Sequence, residues 1–125
     1  MRVLVTGGRD YKDRGVVETV LSDLHAKMGF TYLIHGNARG ADKLAHTWAL
    51  AHGVQPVAMD ALWDAEGDRA GSRRNRRMLE FSNPDACIAF PGGRGTSNMM
   101  ILARSAGVKL IDVEDLLAVD TRHLQ

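Results

Sequence analysis

Three times in this chain a short apolar run stops at a glycine-rich turn and hands over to a helical pattern. Arg2-Val3-Leu4-Val5 leads into Thr6-Gly7-Gly8-Arg9-Asp10. Tyr32-Leu33-Ile34 leads into His35-Gly36-Asn37-Ala38-Arg39-Gly40-Ala41-Asp42. Ala86-Cys87-Ile88-Ala89-Phe90 leads into Pro91-Gly92-Gly93-Arg94-Gly95-Thr96. Strands that read as continuous apolar runs are covered on both faces, the mark of a parallel sheet. Parallel neighbours need a long crossover, usually a helix, and a helical pattern follows each of these strands.

The spacing predicts strands over Arg2–Thr6, Thr31–His35, Val54–Met59, Ala86–Phe90 and Val108–Ile111. Helices are expected from Asp13 to Met28, Gly40 to His52, Ser72 to Ser82 and Thr96 to Ala106. In the first of them Val16, Val17, Val20, Leu21, Leu24 and Met28 keep helical spacing. Asp60–Gly71 reads as irregular, and Asp115–Ala118 as a short helical turn before a polar tail. The expected fold is α/β: a single-domain, Rossmann-like three-layer sandwich over residues 1–125, with a parallel five-stranded sheet in the order 3-2-1-4-5. In that order the first and fourth strands are neighbours, and the chain winds away from them in opposite directions. Ligands of such sheets bind at this switch point, beyond the strand C-termini. The Gly7-Gly8 and Gly92-Gly93 turns face each other there.

Composition narrows the class. The 125 residues allow a real core, with 45% hydrophobic and 25% charged residues. A net charge of +1 and 6% aromatic residues give little electrostatic pull and few stacking platforms for nucleic acid. The one cysteine, Cys87, lies in an apolar run and reads as a buried core thiol; no disulfide framework or CxxC site can form within the chain. No run approaches the roughly 20 apolar residues of a membrane helix. The start passes directly into a strand without a signal-peptide pattern, so the expected location is the cytoplasm.

Glycine turns that open helices present bare N–H groups and the positive helix end to anions. A phosphate is the natural occupant, with Gly7, Gly8, Gly36 and Gly40 in the first two turns and Pro91, Gly92, Gly93, Gly95 and Thr96 in the third. Arg9 and Arg94, inside the turns, are candidate phosphate ligands. Asp10 and Asp42, just past them, either hold ribose hydroxyls or cap helices. Trp63 is a candidate for stacking on a base, or else a packing lid. Arg73, Arg74, Arg76 and Arg77 form the densest charge run, of which helical geometry lets at most two face one site. His35 and His46 read as structural, and no metal-ligand spacing is present. GxGxxG and GxxxxGK[ST] are both missing, which argues against routine nicotinamide chemistry and a P-loop NTPase.

VTGGRDY, HGNARGADKLAHTWA, Trp63 with AGSRRNRRML, and AFPGGRGT, in this order, resemble the YspA/YpsA-related branch of the SLOG superfamily over roughly residues 2–111. The resemblance implies a Rossmann-like domain that binds a nucleotide or nucleotide-derived ligand. Relatives in the superfamily include the LOG phosphoribohydrolases and DNA-processing protein A. The LOG pattern PGGxGTxxE falls on Pro91–Thr96, with its catalytic Glu on Met99; RKxxM falls on Arg74, Asn75 and Met78. The resemblance thus carries over a phosphate turn, Arg74 and Asn75, but not the acid. Catalytic candidates are Arg74, Asp10 and Asp42. Asn37, where related chains often have Gly, is tolerable because Asn accepts the left-handed region.

Three functions fit these residues. The first is a sensor or carrier of a nucleotide-derived small molecule, as in bacterial or phage stress and conflict systems. The second is a nucleoside 5′-monophosphate phosphoribohydrolase-like enzyme. The third is a single-stranded DNA binder. The chain is expected to carry no further cofactor or metal and to stay off membranes, and pairing through helix faces would make a homodimer. Arg74→Ala and Gly93→Asp are both expected to weaken binding without unfolding the domain.

Overall fold

The computed structural model describes residues 1–123, with side chains through Ala118. The strands are β1 Arg2–Thr6, β2 Tyr32–His35, β3 Gln55–Ala58, β4 Ala86–Ala89 and β5 Lys109–Asp112. The helices are α1 Arg14–Met28, α2 Ala41–Ala51, α3 Trp63–Glu66, α4 Ala70–Ser82, α5 Arg94–Ser105 and α6 Val113–His123. All strand pairs are parallel and the sheet order is β3-β2-β1-β4-β5, the order expected.

Alternation along the strands divides the core in two. Val3, Val5, Leu33, Ala86 and Ile88 point to one face, where Val17 and Leu21 of α1, Trp48 of α2 and Val113 of α6 pack. Leu4, Ile34 and Cys87 are register partners pointing to the other face, against Met78 of α4 and Met99 and Ala103 of α5. Burial pushes the Cys87 thiol up to about 12, so it stays protonated and unreactive. The α1 boundaries are chemical: Asp13 accepts from the Val16 N–H, and Gly29, at φ 70°, closes the helix.

Three expectations change. The stretch Asp60–Gly71 is not irregular throughout: it holds α3, a 3₁₀ turn over Gly67–Arg69, and the start of α4 at Ala70 rather than Ser72. The helix expected from Thr96 begins at Arg94, because Gly95 in a first turn does not break a helix. The short turn Asp115–Ala118 is part of α6, held by the fully buried Val113; the last two residues of the polar tail lie outside the described residues. No helix among the described residues is long and apolar enough to cross a membrane.

Candidate functional site

The three glycine turns converge on one residue. Gly8 N–H donates to the Pro91 carbonyl (2.8 Å), and the Gly8 carbonyl accepts from Ala41 N–H (3.1 Å) at the start of α2. Beside it Gly7 has no room for a side chain: a Cβ there would lie 2.5 Å from Ala41 Cβ and 2.9 Å from Phe90 Cβ. The turn after β1 is thereby locked against both others.

A cavity of about 520 Å³ opens over this junction, between β1 and β4. Of the residues singled out in the sequence, Gly7, Gly8, Arg9, Asp10 and Asp42 form its first wall. Trp63, Arg74, Asn75, Gly93, Arg94 and Gly95 form the rest, with Thr96. Gly36 lines an adjoining cavity of about 540 Å³ that shares Arg9, Trp63 and Arg74. Pro91, Gly92 and Gly40 line neither and act in the scaffold, Pro91 through its bond from Gly8. Asn98, Ser72 and Ala38 line the main cavity without having been marked by the sequence. Asn98 had a legible signal, since it sits one turn past Gly95 on the same helix face.

At the N-terminus of α5, Gly93 offers no side-chain cap, and the first helical bond runs from Ser97 N–H to Gly93 O (3.0 Å). The N–H groups of Arg94, Gly95 and Thr96 therefore lack helical partners. A Cβ on Gly93 or Gly95 would meet nothing within 4 Å. Packing therefore does not demand glycine at Gly93.

The arginine run separates by role. Arg77 and Arg73 bond Glu66 of α3 at 3.0 and 3.2 Å. Desolvation raises the Glu66 carboxyl, and these two bonds outweigh it and hold it below the usual range. Arg76 is exposed. Only Arg74 reaches across to the turn after β2, donating from Nη1 to the Gly36 carbonyl (2.6 Å) and from Nε to Asn75 Oδ1 (3.0 Å). Asn75 is buried and donates onward to Gly95 O and Asn98 Oδ1, tying α4 to α5 under the cavity.

Asp42 is 5% exposed, and its Oδ2 accepts from Gly36 N–H (3.0 Å) and Ala38 N–H (3.2 Å). Burial pushes its carboxyl up to about 6, against the opposing pull of those bonds and of Arg74. Between them, Asn37 N–H donates to His35 Nδ1 (3.0 Å). A neutral ring accepting there carries its proton on Nε2, which donates to His46 Nδ1 (2.8 Å). Burial, then His46, lowers His35 to about 4, so it is neutral and structural. Asn37 adopts φ 56°, as its residue type allows. Asp10 is exposed and pairs with Arg39 (3.0 Å), and Arg9 lies over the Trp63 ring, 5.4 Å from its centre. Met99, at the position of the LOG acid, is fully buried among Leu4, Met78 and Cys87 and does not line the cavity. Among the described residues, no three His, Cys, Asp or Glu side chains gather as a metal site.

Residues 1–65 match the model of the YspA, cpYpsA-related SLOG family. The gene 61 protein of Mycobacterium phage D29 is 40% identical over 122 residues, covering 91% of this chain and 97% of that protein. The chain belongs to the YspA, cpYpsA-related SLOG family. Its fold is also that of two solved structures. TM1055, a structural-genomics target, superposes with a TM-score of 0.70 at 19% identity, over 87% of this chain and 71% of that one. DNA processing protein A of Streptococcus pneumoniae superposes with a TM-score of 0.50 at 20% identity, over 94% of this chain and 60% of that one. At such identities the likeness is one of fold.

Proposed function

We propose that this SLOG protein binds a nucleotide or nucleotide-derived ligand in the crevice between β1 and β4, with a phosphate seated at the N-terminus of α5. One observation carries the reading: Gly93 and Gly95 face open cavity space beside three N–H groups that no helical carbonyl satisfies. Glycine there serves the approach of something other than this chain, and bare N–H groups at a helix start suit an anion. Arg94 and Thr96 stand beside them, and Trp63, about half exposed, offers a face to a base. Asp42, Arg74 and Asn75 hold the walls. The reading needs no turnover.

Hydrolysis is the second reading, favoured by Asp42. In N-glycosidic hydrolysis the C1′–N bond breaks, the hydroxyl of water goes to C1′ and a proton goes to the departing base. A buried carboxyl raised to about 6 in the cavity wall is a fitting proton donor near neutral pH. The test for both is incubation with nucleoside monophosphates and diphosphates, followed by melting temperature and by chromatography of the mixture. A raised melting temperature with intact nucleotide supports a sensor or carrier. Free base and ribose phosphate, lost in Asp42→Asn, establish an enzyme. Neither effect would contradict the site and favour single-stranded DNA.

A further inference from the structure

The main cavity does not end at Trp63. Arg9, Ala38, Trp63 and Arg74 line both it and the adjoining lobe, so the two lobes meet at these four residues. The lobes measure about 520 and 540 Å³, and a single lobe already lies within the range of roughly 300–1,000 Å³ that suits a small-molecule ligand.

The two lobes differ in chemistry. The main lobe has unpaired helix N–H groups. The far lobe is floored by the 36–38 turn, whose three N–H groups are all taken: Gly36 and Ala38 by Asp42, Asn37 by His35. It offers no backbone cradle for a phosphate. Its wall instead carries Asp60, an exposed carboxylate accepting from Asn37 Nδ2 (2.8 Å), and the Asn37 amide, whose Oδ1 accepts from Lys43; Arg39, which also lines this lobe, is paired with Asp10 at 3.0 Å. A carboxylate only accepts, so it repels phosphate and suits hydroxyl donors. Where the lobes meet the opposite holds, because Arg9 and Arg74 are two guanidiniums lining both. A molecule spanning the crevice is thus asked for an anionic link at its waist and hydroxyls at its far end.

We infer that the ligand is a nucleoside diphosphate carrying a second sugar, with its first phosphate at the α5 N-terminus, its second between Arg9 and Arg74, and the sugar hydroxyls on Asp60 and Asn37 in the far lobe. This rests on the nucleotide site proposed above. The probes are pairs that differ only by the sugar: ADP and ADP-ribose, UDP and UDP-glucose, GDP and GDP-mannose. Each is titrated calorimetrically into the wild-type protein and Asp60→Ala. Asp60 is exposed, so its replacement leaves the core untouched. In at least one base series the sugar-bearing partner should bind the wild type ten-fold or more tighter, and Asp60→Ala should erase that gain while leaving the plain diphosphate unchanged. Equal affinity within every pair, or a gain that survives Asp60→Ala, overturns the inference but leaves the nucleotide site standing. No binding of any probe overturns both.

Discussion

Gly92 and Gly93 are neighbours and are glycine for different reasons. A Cβ on Gly92 would lie 2.7 Å from Gly8 N and collide with Thr96, whereas one on Gly93 meets only space. Gly92→Ala should therefore cost about 1–3 kcal/mol of stability, the usual penalty of overpacking, in a urea titration. Gly93→Asp, whose Cβ meets no atom within 4 Å, should fold and lose ten-fold or more in nucleotide affinity, because its carboxylate would occupy and repel the proposed phosphate position. Arg74→Ala is a less clean probe than the sequence suggested: it strips the Gly36 carbonyl and Asn75 of a charged donor, so weaker binding and lower stability should come together. The buried pair His35 and Asp42 gives the pH dependence. His35 is lowered to about 4, so its contribution is present above its unfolded value near 6.5 and fades as pH falls through that window. Asp42 is raised to about 6, so its contribution is present below its unfolded value near 3.8 and fades as pH rises through 6. Between pH 4 and 6 the two slopes oppose and the wild type should be nearly flat. Asp42→Asn should lose stability toward acid there, and His35→Gln should gain it, in denaturant midpoints at pH 4.5 and 6.

At the scale of elements, the two helices flanking the cavity are fixed by contacts of opposite kinds. Helix α5 is fixed by its buried Met99, packed beside Cys87. Restoring a LOG-like acid through Met99→Glu would bury a carboxyl without a partner and should cost more than about 3 kcal/mol, with no gain in nucleotide hydrolysis, measured by urea midpoint and product chromatography. The α3 segment is instead fixed by Glu66, which reaches seven and eleven residues on to Arg73 and Arg77. Glu66→Ala should speed tryptic cleavage at Arg69 while shifting the melting temperature little, since the core is elsewhere. The same contrast explains what was legible. The strands and α1, α2, α4 and α5 are written as apolar spacing and glycine punctuation, so they were readable to within a few residues. The four-residue α3 has no periodicity of its own and is held by ion pairs to α4, and α6 packs on the core through the buried Val113 and the partly buried Leu116. In the crevice, turn glycines and Arg74 announced themselves by type and place. That Asp42 would hold a turn and that Arg73 and Arg77 would hold α3 depended on tertiary partners that no local pattern encodes.

Across the whole molecule, the parallel order β3-β2-β1-β4-β5 places the turns after β1 and β4 side by side, and the bond from Gly8 to Pro91 seals them. The α2 start joins them through Ala41. Three stretches far apart in sequence become one crevice because of strand order alone, and membership in the YspA, cpYpsA-related SLOG family agrees with that architecture. The proposed seat of the phosphate in this crevice is the N-terminus of α5. The most direct test is a calorimetric titration of the best-stabilising nucleotide and of its phosphate-free nucleoside into the wild type and Gly93→Asp. The nucleotide should bind tightly, the nucleoside at least ten-fold more weakly, and that difference should be lost in a folded Gly93→Asp. Equal affinity for nucleotide and nucleoside, or full nucleotide affinity in Gly93→Asp, would contradict it.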